Sequence, residues 1–131
     1  MFIILRYVGR GVSPRWVTRE LGGEPDQGCL LGDLIEVTEA DGRIVRKPAL
    51  SGFWRRTIEL EVVGSGKQAL TALCSGLTTD LKKWVKLSQT HRCDVAITDA
   101  PQGTMIESVF TPEDLEFLSS RGLRVNIYFA P

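Results

Sequence analysis

Histidine is almost missing from this chain: His91 is the only one in 131 residues. Nucleophile–base pairs and metal centres draw heavily on imidazole, so its scarcity removes most hydrolase and metalloenzyme designs at once. Cysteine is nearly as sparse. Cys29, Cys74 and Cys93 are an odd number at wide spacings with no Cys-x-x-Cys pair, a pattern of free thiols in a reducing compartment. Zinc takes about four ligands in compact spacing, so His91 and Cys93 do not make a metal site, and no cofactor is implied. No run approaches the ~20 apolar residues of a membrane span. The opening FIIL meets Arg6 at once, without the pattern of a signal peptide. These features predict a cytoplasmic protein with no membrane partner. Charge of one sign is lacking too. Sixteen Lys and Arg against sixteen Asp and Glu give a formal net charge of zero, which argues against nucleic acid as the partner.

What is present is an ordinary globular balance, 43% apolar and 24% charged, in a length that suits one domain over residues 1–131. Phe2 to Val8 is bulky and β-branched and reads as a buried strand. A helix start follows: Ser13 is an N-cap, Pro14 stands in the first turn, Val12 and Val17 form a staple, and Gly22 is a left-handed stop. The same signal recurs near the other end. Thr111 caps, Pro112 follows, Phe110 and Leu115 form the staple, and Glu113 and Asp114 suit the helix dipole. Gly122 closes that helix, and Leu123 to Phe129 reads as a strand.

Between these ends, Asp41-Gly42 is a two-residue hairpin turn, which sets Glu36 opposite Lys47 and Val37 opposite Arg46. Ile58, Leu60 and Val62 alternate along a half-buried strand. Leu70, Leu73, Leu77, Leu81 and Trp84 share a helical face over 65–89, which Gly76 divides, with a threonine capping the second half. Arg92 to Thr98 is another strand, and Thr104 to Phe110 a further one. The order predicts an α+β fold: a mainly antiparallel sheet with helices on one face, ferredoxin-like or pseudo-duplicated, with an added β-hairpin.

Several residues invite a chemical reading. Gly64-Ser65-Gly66 before a helix has the form of a phosphate cradle, but no Walker ending follows, so a cap-and-hinge role is the simpler account. Glu113, Asp114 and Glu116 stand at an exposed helix start, where carboxylates serve the dipole rather than acid–base work. The basic and aromatic cluster of Arg43, Arg46, Lys47, Phe53, Trp54, Arg55 and Arg56 is the most suggestive feature. It reads as a charged edge that deters aggregation, as a dock for an acidic protein, or as a phosphate site. A second reading leaves one face of the sheet open, presenting Arg6, Asp94 or Asn126 to an anion or metabolite.

The run FIILRYVGRGVSPRWVTRELGGEP, then Leu31-Gly32-Asp33, then Gly52-Phe53-Trp54, then FTPEDLEFLSSRGLRVNIYF, resembles the bacterial domain-of-unknown-function family 4279. The matching positions are Leu21, Gly22, Pro25, Gly32, Asp33, Gly52, Trp54, Leu118, Gly122, Ile127 and Tyr128. Two departures are a longer hairpin over 34–47 and Gln68 where a histidine is expected. The resemblance implies a small binding or accessory protein, of the kind that neutralises a toxin. With no catalytic constellation in view, the expected function is a non-enzymatic protein-binding module that contacts its partner through Arg46, Trp54, Arg55 and Arg56, with self-association through an open sheet face or edge as a further route. The alternative is a small-ligand or anion-sensing domain.

Overall fold

A computed structural model describes residues 1–61 and 65–131. Val62, expected to extend a strand, and Gly64 of the proposed phosphate cradle lie outside the described residues. Strand β1 (Phe2–Gly9) alternates strictly: Ile3, Leu5 and Tyr7 are buried, while Ile4 and Arg6 take the opposite face. It is the middle of a five-stranded sheet ordered β2-β5-β1-β6-β7. Strands β5 (Gly52–Glu59) and β6 (Arg92–Ala100) flank it, both antiparallel. Short β2 (Gln27–Cys29) completes one edge, antiparallel to β5. At the other edge β7 (Arg124–Phe129) runs parallel to β6. The α+β class with a mainly antiparallel sheet and helices packed on one face is what the alternation predicted.

The helical layer follows from local signals. Helix α1 (Pro14–Leu21) opens with the Ser13 side chain accepting the Trp16 N–H and closes on Gly22 at φ 85°. Helix α5 (Pro112–Ser119) carries a full capping box. Thr111 accepts the Asp114 N–H, and the Asp114 carboxylate accepts the Thr111 N–H at 2.9 Å. The region expected to be helical over 65–89 is indeed two helices, α2 (Gly66–Leu73) and α3 (Leu81–Thr90), broken at Gly76 with φ 75°. The cap of α3 is Asp80, which accepts the Lys82 N–H, and not a threonine; Thr78 instead accepts the N–H of Asp80. The inward residues of the sheet and the apolar faces of these helices build one core. Trp54, Trp84, Tyr7, Phe110, Leu21 and Leu87 are all fully enclosed in it.

Two expectations need correction. Thr104 to Phe110 is not a strand: Ile106–Val109 forms a short helix, α4, after a turn closed by the Thr104 N–H donating to Pro101 O. The preceding strand runs longer than expected, because β6 continues to Ala100 through an irregularity in which Asp99 takes φ 53°. The hairpin of β3 (Leu34–Thr38) and β4 (Ile44–Pro48) forms its own two-stranded sheet, and its register is one residue away from the expected one. Glu36 faces Arg46 and Val37 faces Val45. The loop is Ala40-Asp41-Gly42: the Gly42 N–H donates to Glu39 O, and Gly42 at φ 86° completes a turn with a bulge. A three-residue loop of this kind shifts every pair beyond it by one.

Gly52 shows why one small residue matters at the start of β5. A Cβ placed there would lie 2.3 Å from Val12 O, so the backbone entering α1 presses directly on this position. Gly52→Ala is expected to destabilise the fold by about 1–3 kcal/mol through overpacking. Gly11→Ala, where nothing lies within 4 Å, is expected to stay within about 0.5 kcal/mol. Paired urea melts of the two variants check the contrast.

Candidate functional site

Because successive side chains on a strand point to opposite faces, the cluster of basic and aromatic residues is distributed rather than gathered. Trp54 faces inward and has no exposed surface; its indole N–H donates to Thr18 Oγ1 at 3.0 Å. Arg56 also faces inward. Its Nε donates to Glu24 O at 2.8 Å, and its Nη1 donates to Leu73 O at 3.1 Å and Ser75 O at 2.7 Å. It closes the C-terminal turn of α2, a task that free carbonyls at a helix end always require. Arg46 is exposed on the separate hairpin, across from Glu36. Only Arg55 reaches the open sheet face, where it lies over the Phe53 ring at 4.8 Å and donates to Gln27 Oε1 at 2.8 Å. One contact surface made from Arg46, Trp54, Arg55 and Arg56 together is therefore corrected to three separate places: hairpin, open face and core layer.

The open face holds a different constellation. Cross-strand registers align Gln27 with Arg55, Arg55 with Arg6, Arg6 with Asp94, and Asp94 with Arg124. One polar row thus crosses all the strands of the sheet. At its centre the Asp94 carboxylate, on a residue only 8% exposed, accepts Arg6 Nε at 2.7 Å, Arg6 Nη2 at 3.0 Å and Asn126 Nδ2 at 2.7 Å. Arg6 Nη2 also donates to the Tyr128 hydroxyl at 3.2 Å, with the guanidinium 5.5 Å from the centre of the Tyr128 ring. The bond to Asp94 is the main cause that raises the pKa of Arg6. Arg6, Asp94 and Asn126 are thus brought together on the open face, as their alternation allowed.

Around this network lies a cleft of about 710 Å³ bordered also by Arg92, Arg124 and His91. Among the described residues neither Arg92 nor Arg124 has an ion-pair partner. The cleft therefore presents arginine charge that Asp94, already engaged by Arg6 and Asn126, does not neutralise. Sequence reasoning missed Arg92 and Arg124, because the register that lines them up with Val8 and Asp94 is visible only once β6 is paired on both sides.

His91 belongs to the wall of this cleft but is already occupied. Its ring lies tilted against Trp16 with centres 4.9 Å apart, its Nδ1 is 2.9 Å from Thr90 Oγ1, and burial lowers its pKa, which favours the neutral form. The thiols are equally quiet. Burial raises the pKa of Cys29, Cys74 and Cys93, the last to about 11, so none is poised as a thiolate at neutral pH. Among the described residues no group of three His, Cys, Asp or Glu side chains could hold a metal ion, and no helix is long and apolar enough to cross a membrane.

The remaining residues of the resemblance have structural duties. Gly32 and Gly122 take φ 88° and 71°, and the Asp33 carboxylate accepts the Leu30 N–H at 2.8 Å. Leu21 and Leu118 are core, whereas Tyr128 stands at the cleft.

Asp94→Ala strips the acceptor from Arg6 and Asn126 together. With the Arg6 side chain 29% exposed, water recovers part of the loss, and the expected destabilisation is about 1–3 kcal/mol. A double-mutant cycle with Arg6→Met checks that most of this cost is the pair itself.

No curated protein and no solved structure gives a significant match to the chain. The family model for DUF4279, a domain of unknown function, matches residues 1–129, and the chain belongs to that family.

Proposed function

We propose that this protein is a non-catalytic binding module that takes a small phosphate- or carboxylate-bearing molecule on the open face of its sheet. The observation that carries this reading is the pairing state of the cleft. Asp94 is already bound by Arg6 and Asn126, so its charge orders the site, while Arg92 and Arg124 stand at the rim with no carboxylate partner among the described residues. Arginine forks match planar or tetrahedral oxyanions in two-pronged fashion. Tyr128 adds a hydroxyl and an aromatic wall beside them. The quiet thiols supply no ready nucleophile, and the imidazole is held by Trp16 and Thr90 rather than aimed at one, which favours binding over turnover.

Inorganic phosphate, sulfate and citrate are the first ligands to titrate by thermal shift. A ligand at ten times its Kd stabilises the folded state by about 1.4 kcal/mol, a rise of a few degrees in Tm for a chain of this size. The double variant Arg92→Gln, Arg124→Gln is expected to abolish the rise without lowering the unliganded Tm. An equal rise in the variant, or none in the wild-type protein, counts against the site.

A second reading, docking of another protein in a toxin-neutralising or accessory role, is favoured by one separate observation. Leu34 and Ile44 on the hairpin are 66% and 67% exposed, and Leu30, Leu31 and Leu50 near its base are exposed as well. Exposed apolar groups on the same hairpin face as Arg46 have the composition of an interface. In a pull-down from the host cell, Leu34→Asp with Ile44→Asp is expected to lose a stoichiometric protein that Arg92→Gln retains. A partner kept by the hairpin variant argues against this surface.

A further inference from the structure

On the other side of the sheet, a second cavity of about 610 Å³ opens between α2, α3 and α5. This volume is in the range that holds a metabolite-sized ligand. Its apolar walls are Leu70, Leu77, Trp84 and Phe117. Leu70 and Trp84 belong to the core, so the cavity reaches down to it rather than resting on the helix surface.

Two cations and two carboxylates stand at the rim of this cavity. Lys67, Arg121, Glu113 and Asp114 border it. The Asp114 carboxylate is engaged in the capping box of α5. The polar preference of the cavity is therefore set by the free donors of Arg121 rather than by a net charge. Arg121 is held in place: its guanidinium lies 3.6 Å from the centre of the Phe117 ring and 5.6 Å from that of Trp84. Its Nη1 donates to Phe117 O at 3.1 Å and to Ser120 Oγ at 3.4 Å. The Nε and Nη2 groups have no partner among the described residues, and burial lowers the pKa of the group. A fixed guanidinium with unused donors beside an apolar hollow matches a molecule with both kinds of surface.

We propose that this cavity is a second ligand site that takes an amphipathic monocarboxylate, with its apolar body against Leu70, Leu77, Trp84 and Phe117 and its carboxylate on the unused donors of Arg121. The site differs in kind from the open-face cleft. There the walls are largely polar and the ligand is bound by charge; here most of the contact is apolar and a single charge sets orientation.

Decanoate and decanol share one alkyl chain and differ in the headgroup, so they separate the two contributions. Each is titrated, below micelle-forming concentrations, into 15N-labelled wild-type protein. Saturable shifts are expected at the Trp84 indole N–H and the Leu77 and Arg121 amides, with the Asn126 side-chain amide unmoved. Decanoate is expected to bind at least about tenfold more tightly than decanol, the worth of one charge-assisted hydrogen-bonded contact. Arg121→Met, which keeps an apolar stem over Phe117, is expected to erase that preference, and Arg121→Lys to restore part of it. Non-saturable binding, equal affinity for acid and alcohol, or shifts centred on Asn126 would overturn the proposal. The wild-type comparison decides the matter even where Arg121→Met fails to fold.

Discussion

Strand β1 is hydrogen-bonded along both edges and different on its two faces, and almost everything else is placed by that double constraint. Ile3, Leu5 and Tyr7 must meet the helices, while Arg6 must meet Asp94 on the opposite face. A slip of one residue against either neighbour would exchange Tyr7 for Arg6 and drive a guanidinium into the core without its carboxylate. Because β5 and β6 both read their register from β1, the polar row across the open face and the aromatic layer beneath the helices are fixed by one decision. Tyr7 shows that the core is not free of cost: its buried hydroxyl has no hydrogen-bond partner among the described residues.

The two faces of the sheet are consequently different environments. One is roofed by helices whose starts are written in short local codes, Ser13-Pro14 and Thr111-Pro112. The other has no such roof, and its partial shelter comes from long side chains lying over their neighbours, as Arg55 does over Phe53 and Arg6 beside Tyr128. Facing arginines such as Arg6 and Arg55 repel, and the row accommodates them because Asp94 serves one and Gln27 the other. The same economy explains why the arginines beyond that reach have no internal partner.

Much of this was legible in the residues, for reasons that differ by element. Strand β1, the caps of α1 and α5, the break at Gly76 and the α+β class depend on neighbours in sequence, and local chemistry decides them. The hairpin register escaped because Asp41-Gly42 fits a two-residue and a three-residue loop equally well, and only the bonds of Glu39 and Gly42 tell them apart. Residues 104–110 looked like a strand because Met105, Ile106, Val109 and Phe110 are apolar, but their backbone closes on itself as a helical turn, with the Phe110 N–H donating to Ile106 O. The basic cluster misled more deeply. Contiguity in sequence was taken for contiguity in space, although Trp54 and Arg55 are adjacent on a strand and so lie on opposite faces. By contrast Arg6, Asp94 and Asn126, far apart in sequence, share one parity along their strands and meet.

Arg56 carries a further meaning for motion. Its guanidinium bonds three carbonyls from two stretches of chain, Glu24 after α1 and Leu73 with Ser75 at the end of α2. Neither stretch can lift away without breaking the hub that holds the other. The loop after α1 and the end of α2, though distant in sequence, are therefore bound into one cooperative unit, opening and closing together rather than fraying separately. A single planar side chain makes a joint of what would otherwise be two loose ends.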